Sequence, residues 1–285
     1  MPLSSFGARV IGLCGCYRAR TSGESGLLSV FKHIQKHRYV VQNFVIRDIK
    51  IKYRGTVFGY LWSLLEPLSM VLIYDFVFRV IMRRGEANYP LILVLGILPY
   101  NYVSSIIIGG ASALVNNASL IRRVPLPREL FVLSVVGSNL VTFLLSMLAA
   151  VPFMIAFDVP FGWHLLLFPI PVALMTAFAT GIALVMACIN VVYRDVGYVL
   201  RVTIRMVMYL SPVIYELSRV PERFHTLFLL NPLSVYLTMA RNWMLSRPID
   251  IPPVDVAVSV AVAVVFLVGG GYIFAVLEKK AVKFL

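Results

Sequence analysis

The sequence predicts an all-α integral membrane protein, and three observations carry that prediction. Of the 285 residues, 60% are hydrophobic and only 14% charged, whereas soluble chains run nearer half apolar and a quarter charged. A hydrocarbon core of ~30 Å takes about 20 apolar residues to cross. Six stretches meet that need: residues 57–80, 90–114, 130–157, 163–190, 197–216 and 254–277. The net charge of +13 comes mostly from Lys and Arg beside these stretches, as expected of the cytoplasmic flanks of membrane helices. That placement explains the basic balance without nucleic acid as a partner.

Residues 1–27 are expected to be a mobile N-terminal extension. Val10–Cys16 is too short and too glycine-broken for a span or a leader. Cys14, Cys16 and Cys188 supply neither zinc spacing nor a disulfide framework. Residues 28–54 are too rich in Lys and Arg to cross a membrane. On a helical projection Lys36, Arg47, Lys50 and Arg54 share one face, with Val41, Phe44, Val45 and Ile49 broadly opposite. This predicts an amphipathic helix lying in the headgroup layer.

Between the fifth and sixth spans lies a connection too apolar for a free loop and broken by Pro221 and Pro232. Residues 221–247 therefore read as two short re-entrant helices, Phe224–Leu230 and Leu233–Leu245, which need burial in protein. With the N-terminus inside, the basic residues before residue 57 collect on the cytoplasmic side, together with Arg122, Arg123, Arg128, Arg194, Arg201, Arg205, Lys279, Lys280 and Lys283. Arg79, Arg83, Arg84, Arg219, Arg223, Arg241 and Arg247 fall outside, and both termini are cytoplasmic.

Charges inside the spans are costly and mark polar surroundings. Glu66 and Asp75 lie nine residues apart on opposite faces of the first span, so they cannot cooperate as a relay. In the fifth span Arg194, Tyr198, Arg201, Arg205, Met208, Pro212, Tyr215, Glu216 and Arg219 form one stripe. Leu200, Thr203, Met206, Val207, Leu210, Val213 and Ile214 form the apolar back. Snorkelling to the headgroups suits Arg201, about 6 Å in, and strains Arg205, about 12 Å in at 1.5 Å per residue. A water-filled path is the favoured reading. On the first span Tyr60, Ser63, Pro67, Val71, Tyr74 and Phe78 project together, and rings of this kind suit passing sugars. Interface belts explain Tyr60 and Phe78 equally well.

No phosphate-binding loop is present, and Gly269-Gly270-Gly271 has no lysine after it. No metal-spaced cluster or nucleophile motif occurs, and His33 and His37 lack a third ligand. Neither a catalytic residue nor a metal site is expected, and the chain binds no cofactor of its own.

Six pieces occur in order after residue 30. They are Arg47-Asp-Ile-Lys-Ile-Lys-Tyr-Arg54 leading into Gly59-Tyr-Leu-Trp-Ser-Leu-Leu-Glu-Pro67; Asn117-Ala-Ser-Leu-Ile-Arg-Arg123 with Pro127-Arg-Glu129; Asn190-Val-Val-Tyr-Arg-Asp195; Ser211-Pro-Val-Ile-Tyr215; Val220-Pro-Glu222; and Asn231-Pro-Leu233 with Arg241. Together they resemble the permease subunit of ABC-2 type polysaccharide exporters, which move O-antigen, capsule or teichoic acid. The resemblance implies a homodimer in the bacterial inner membrane above two ATP-binding cassette subunits that hold ATP and Mg. Its implied cargo is an undecaprenyl-diphosphate-linked polysaccharide of O-antigen type, with teichoic acid and capsule as the alternatives.

It further implies a coupling loop that docks the ATPase, comprising Asn117, Leu120, Arg122, Arg123, Pro127, Arg128 and Glu129. Arg47, Lys50 and Arg54 would flank the entrance for the lipid diphosphate. Tyr60, Tyr74, Tyr198, Arg201, Arg205 and Tyr215 would line the channel. Pro221, Glu222, Asn231, Pro232 and Arg241 would form the exit region. There Arg241 either holds the departing diphosphate or ties one re-entrant helix to its neighbour. The alternatives are a permease of the same type for a drug or lipid, a membrane glycosyltransferase, and a secondary transporter. The glycosyltransferase lacks a long acidic loop, and the secondary transporter would carry its helix breaks near the midplane.

Overall fold

The computed structural model describes residues 38–81, 89–124, 126–160, 162–248 and 251–281. The predicted 1–27 extension and the start of the interface helix, with Lys36, lie outside these residues. All regular structure among the described residues is helical. The interface helix is α1 (Arg38–Tyr53). A 3-10 turn (Gly59–Leu61) leads into α2 (Trp62–Asp75), which continues as a π-helical segment, Phe76–Ile81. Then follow α3 (Tyr89–Asn116), the short α4 (Ala118–Arg123), α5 (Glu129–Met147) and α6 (Ala150–Ala156). A 3-10 turn precedes α7 (Pro169–Val192), and α8 (Val196–Tyr209) comes next. The chain ends in α9 (Glu222–Leu229), α10 (Pro232–Met244) and the long α11 (Pro253–Ala281).

Four of these units are long and apolar enough to cross a membrane: Tyr89–Asn116, Glu129–Ala156, Trp163–Val192 and Pro253–Glu278. They match the second, third, fourth and sixth predicted stretches. The fifth differs. Its helix stops at Tyr209 after 14 residues, about 21 Å at 1.5 Å per residue, so 197–216 is not one continuous helix. Pro212 explains the stop, because it lacks an N–H and biases the residue before it away from helix.

The hub is α3, buried along 78% of its most apolar stretch and packed against α7, α5, α2, α10, α8 and α6. Small residues allow the closest approaches, as expected where lipid supplies no hydrophobic drive between helices. A Cβ on Gly110 would stand 2.6 Å from that of Ala183. A Cβ on Gly181 would strike the Phe266 carbonyl, and one on Gly270 the Gly181 backbone, so α7 and α11 touch backbone to backbone. Apart from that seam α11 is mostly exposed, showing Val254, Val258, Val264, Val265 and Val276.

On α2, Pro67 offers no N–H to the Ser63 carbonyl four residues earlier. The Ser146 hydroxyl of α5 donates to that carbonyl at 2.9 Å. Ser63, Pro67 and Val71 are accordingly the buried side of α2. This corrects the aromatic stripe read from the sequence: its middle packs into the bundle and does not line a free surface. The opening that remains on α2 carries Trp62, Glu66, Ser69, Met70, Ile73 and Phe76 instead.

Candidate functional site

Two arginine-bearing regions decide what the molecule can do. The first is the irregular turn after α8, where Ser211, Pro212, Val213 and Ile214 are all buried. A non-helical backbone so placed must find partners for its carbonyls. Arg241 of α10 supplies most of them. Its guanidinium donates to the carbonyls of Tyr215, Pro212 and Val213, each at 2.9 Å. The Tyr89 hydroxyl donates to the Ile214 carbonyl at 3.1 Å, and the Ser211 carbonyl accepts from the Val213 N–H.

Gly96 on α3 makes room, since a Cβ there would collide with the Val213 carbonyl and the Arg241 guanidinium. Arg241 is 1% exposed. Burial pushes its guanidinium down to about 10, with the Glu216 carboxylate acting against that shift, so it stays cationic at neutral pH. Arg241 thus ties α10 to the turn after α8.

Asn231 completes the knot. Its side-chain oxygen caps α10 by accepting from the Leu233 N–H at 3.1 Å, with Pro232 at the first helical position, where a missing N–H costs nothing. Its amide donates to the Ser211 hydroxyl at 2.8 Å. Pro221 and Glu222 open α9, whose residues are largely exposed. Beside them Glu216, His225, Thr226, Asn242, Arg247 and Asp255 contribute to the lining of a cavity of about 690 Å³, crossed by the Arg247–Glu216 ion pair at 3.0 Å.

The second region is α8. It rests on α3 and α7 through Leu200, Ile204, Val207 and Met208. The Tyr100 hydroxyl donates to the Ile204 carbonyl. Met208 thus belongs to the packed side and not to the polar stripe. Tyr198, Arg201, Val202, Arg205 and Tyr209 form an exposed face. Arg201 lies 4.6 Å above the Tyr198 ring, and no ion pair reaches either arginine among the described residues. An unpaired cation at the centre of a membrane helix costs about 2.5–3.5 kcal/mol on insertion scales. The predicted stripe does not run on to Arg219 as one face, because the helix breaks first.

Asn190 holds the start of α8. It is 7% exposed, donates to the Ala111 carbonyl at 3.0 Å and accepts from the Gly197 N–H at 3.2 Å. The sequence marked the motif but not this role. An Asn two residues before a helix end, with a second helix opening six residues on, was the available signal.

At the far end of the bundle, α4 bridges α3 and α5. Leu120 packs inward, Pro127 is buried, and Arg122 and Arg123 are exposed. Arg128 pairs with Glu278 of α11 at 3.1 Å, and Glu129 is buried at the start of α5. Asn117 is the junction: its side-chain oxygen accepts from Arg47 of α1 at 3.1 Å.

Arg47 also pairs with Asp48 at 2.8 Å, and Asp48 accepts from the Ser134 hydroxyl of α5 at 3.0 Å. Phe44 stacks on Phe131 at 5.3 Å. Lys50 and Arg54 remain exposed. The structure thus separates the three basic residues assigned to the entrance, with Arg47 tying α1 down and the other two facing outward. Tyr60 is half exposed against Tyr53, and Tyr74 is partly buried against the core. Tyr215 donates its hydroxyl to the Tyr209 carbonyl at 2.8 Å and meets Phe228 edge-on at 6.2 Å.

A multi-pass helical bundle, with one cationic helix left open and a knotted turn beyond it, defines a membrane transport subunit. The chain belongs to the ABC-2 type transporter family, whose match covers residues 39–245. It is similar to the O-antigen export system permease protein RfbA of Myxococcus xanthus, at 31% identity over 74% of this chain and 82% of that one. A Klebsiella pneumoniae protein of the same name is 30% identical over 69% and 75%. The polysialic acid transport protein KpsM of Escherichia coli is 22% identical over 72% and 81%.

Proposed function

We propose that this chain is the permease subunit of an ATP-driven exporter. It moves an undecaprenyl-diphosphate-linked polysaccharide of O-antigen type across the bacterial inner membrane. The observation that carries the reading is the open cationic face of α8, in a chain whose similarity to O-antigen permeases extends over most of both sequences. A diphosphate on a lipid needs cations at membrane depth, and a passing glycan needs sequence-tolerant polar and aromatic contacts. The greater likeness to the O-antigen proteins than to the polysialic acid protein favours the first cargo class over capsule.

In this reading the chain makes six passes with both termini inside. The first pass is α2 with its π extension, 20 residues from Trp62 to Ile81. The fifth is α8 followed by the Arg241-held turn, and α9 and α10 are the re-entrant pair at the outer face. Two copies pair side by side above two ATPase subunits, which supply ATP and Mg. The loop from Asn117 to Glu129 docks the ATPase, with Arg122 and Arg123 free to meet it. Lys50 and Arg54 meet the incoming diphosphate, and Arg201 on the open face of α8 receives it next. Tyr198 and Tyr60 offer ring faces to the glycan, and Tyr215 and Tyr74 stand nearer the exit.

The Arg47–Asn117 bond gives the ATPase a direct handle on the interface helix. A push on α4 moves Asn117, which pulls Arg47 and with it α1. Reconstitution in lipid vesicles tests the assignment, scoring lipid-linked glycan transport with and without the ATPase subunits. Transport is expected only when both are present with ATP; transport by this chain alone would overturn the reading.

A further inference from the structure

Glu66 and Arg205 present the same problem on two different helices. Glu66 lies on the exposed face of α2 among Trp62, Met70 and Ile73, and Arg205 on the exposed face of α8 among Val202, Met206 and Tyr209. Among the described residues neither has an ion-pair partner. Arg201 is already seated over Tyr198, which leaves Arg205 the freer of the two cations.

Their depths can be read against α3. The Tyr102 and Phe143 rings stack, so Ser146, three residues further along α5, is level with Pro99, and its bond to the Ser63 carbonyl sets α2 at that depth; α2 runs antiparallel to α3, so Glu66 falls within a turn of Leu98. Gly197 approaches Ala111 through Asn190, and Ile204 bonds to Tyr100, so α8 also runs antiparallel to α3. Arg205 is then level with Pro99 or Tyr100. Opposite charges therefore stand at one depth on two uncovered helix faces flanking the same hub. Each is bordered by apolar side chains, and within one chain they do not meet.

We propose that a second copy of this chain covers these faces, and that Glu66 of each copy ion-pairs with Arg205 of the other. A two-fold arrangement makes the contact twice, because a closed pair reuses the same patches on both subunits. The low dielectric of a closed seam strengthens the attraction relative to water, and each charge answers the other's desolvation. The two pairs pin α2 of one copy against α8 of the other. Arg201 of each copy stays uncommitted, so the seam keeps a cationic wall for an anionic lipid headgroup. The inference rests on the homodimer reading above and assigns the residues that join its halves.

Two differently tagged copies, each with its native cysteines replaced, carry Glu66→Cys in one and Arg205→Cys in the other. Co-purification first establishes whether a dimer forms. A bifunctional thiol reagent about 10 Å long, chosen because an ion-paired Glu and Arg hold their backbones beyond disulfide reach, is then expected to cross-link the two tags at least 10-fold more efficiently than Glu66→Cys with Val265→Cys, which lies on the exposed side of α11. Glu66→Arg and Arg205→Glu are each expected to lower export at least 10-fold, and the double exchange to recover it to within about 3-fold of wild type. Co-purification without the cross-link, or a double exchange no better than the singles, overturns the pairing and leaves the export reading standing. Failure to co-purify sinks both.

Discussion

Arg241 and Arg205 are both cations embedded among apolar helices, and the chain treats them oppositely. Arg241 is enclosed, and it donates to three backbone carbonyls of a turn shaped to receive it. Arg205 lies on an open face with no ion-pair partner in its own chain among the described residues. A charge that a chain satisfies internally is architecture, since removing it strands the groups it satisfies. A charge left open at comparable cost is retained for something outside the chain. The turn and the helix are neighbours in sequence, so the difference is one of partners and not of position.

The largest expected effect breaks that contrast at its architectural end. Arg241→Leu strands the carbonyls of Pro212, Val213 and Tyr215, each at a cost of about 1–3 kcal/mol. The variant should lose monodisperse protein in detergent and most of its thermal transition, whereas Arg205→Leu should keep both. Equal loss in the two variants would erase the distinction. Gly96→Ala attacks the same knot sterically, because its methyl would meet the Val213 carbonyl and the Arg241 guanidinium. A cost of about 1–3 kcal/mol is expected from overpacking, read as a lower transition temperature with the helical signal retained.

Asn117→Ala probes a bond between helices in place of a buried knot. It removes the acceptor for Arg47 and should cost about 1 kcal/mol in stability. ATP hydrolysis by the assembled complex should continue while transported glycan per ATP falls. Unchanged coupling would mean that α1 does not follow α4. The smallest effect belongs to Ser146→Ala, which removes the donor for the carbonyl freed by Pro67. Bonds of this kind between membrane helices average about 0.6 kcal/mol, so a shift of one or two degrees in the thermal transition is expected, with export unaffected.

How far the sequence revealed this molecule follows the same division. Long apolar runs fixed four spans, because crossing a bilayer demands length and composition and little else. The Pro221 and Asn231-Pro232 breaks located α9 and α10, since a cap followed by proline is a local signal. The end of α8 at Tyr209 was misread. Apolar composition continues through 210–214 and masks the local signal of Pro212; the carbonyls that leave the helix there find their partner in Arg241, some 30 residues away. The stripe on α2 failed for a related reason. Periodicity reports that Ser63, Pro67 and Val71 share a face, but not whether that face meets α5 or open space. Arg47 was grouped with Lys50 and Arg54 by charge, and its partner Asn117 lies 70 residues on, where no spacing rule reaches.

The claim that the open cationic face of α8 serves transport is tested most directly by one comparison in vesicles. Wild type and the Arg201→Leu variant are reconstituted with the ATPase subunits, and ATP-dependent translocation of lipid-linked glycan is scored beside dimer assembly. Assembly at wild-type yield with translocation reduced at least 10-fold is the expected result. Translocation at the wild-type rate would show that Arg201 merely anchors α8 in the headgroups and that the path lies elsewhere.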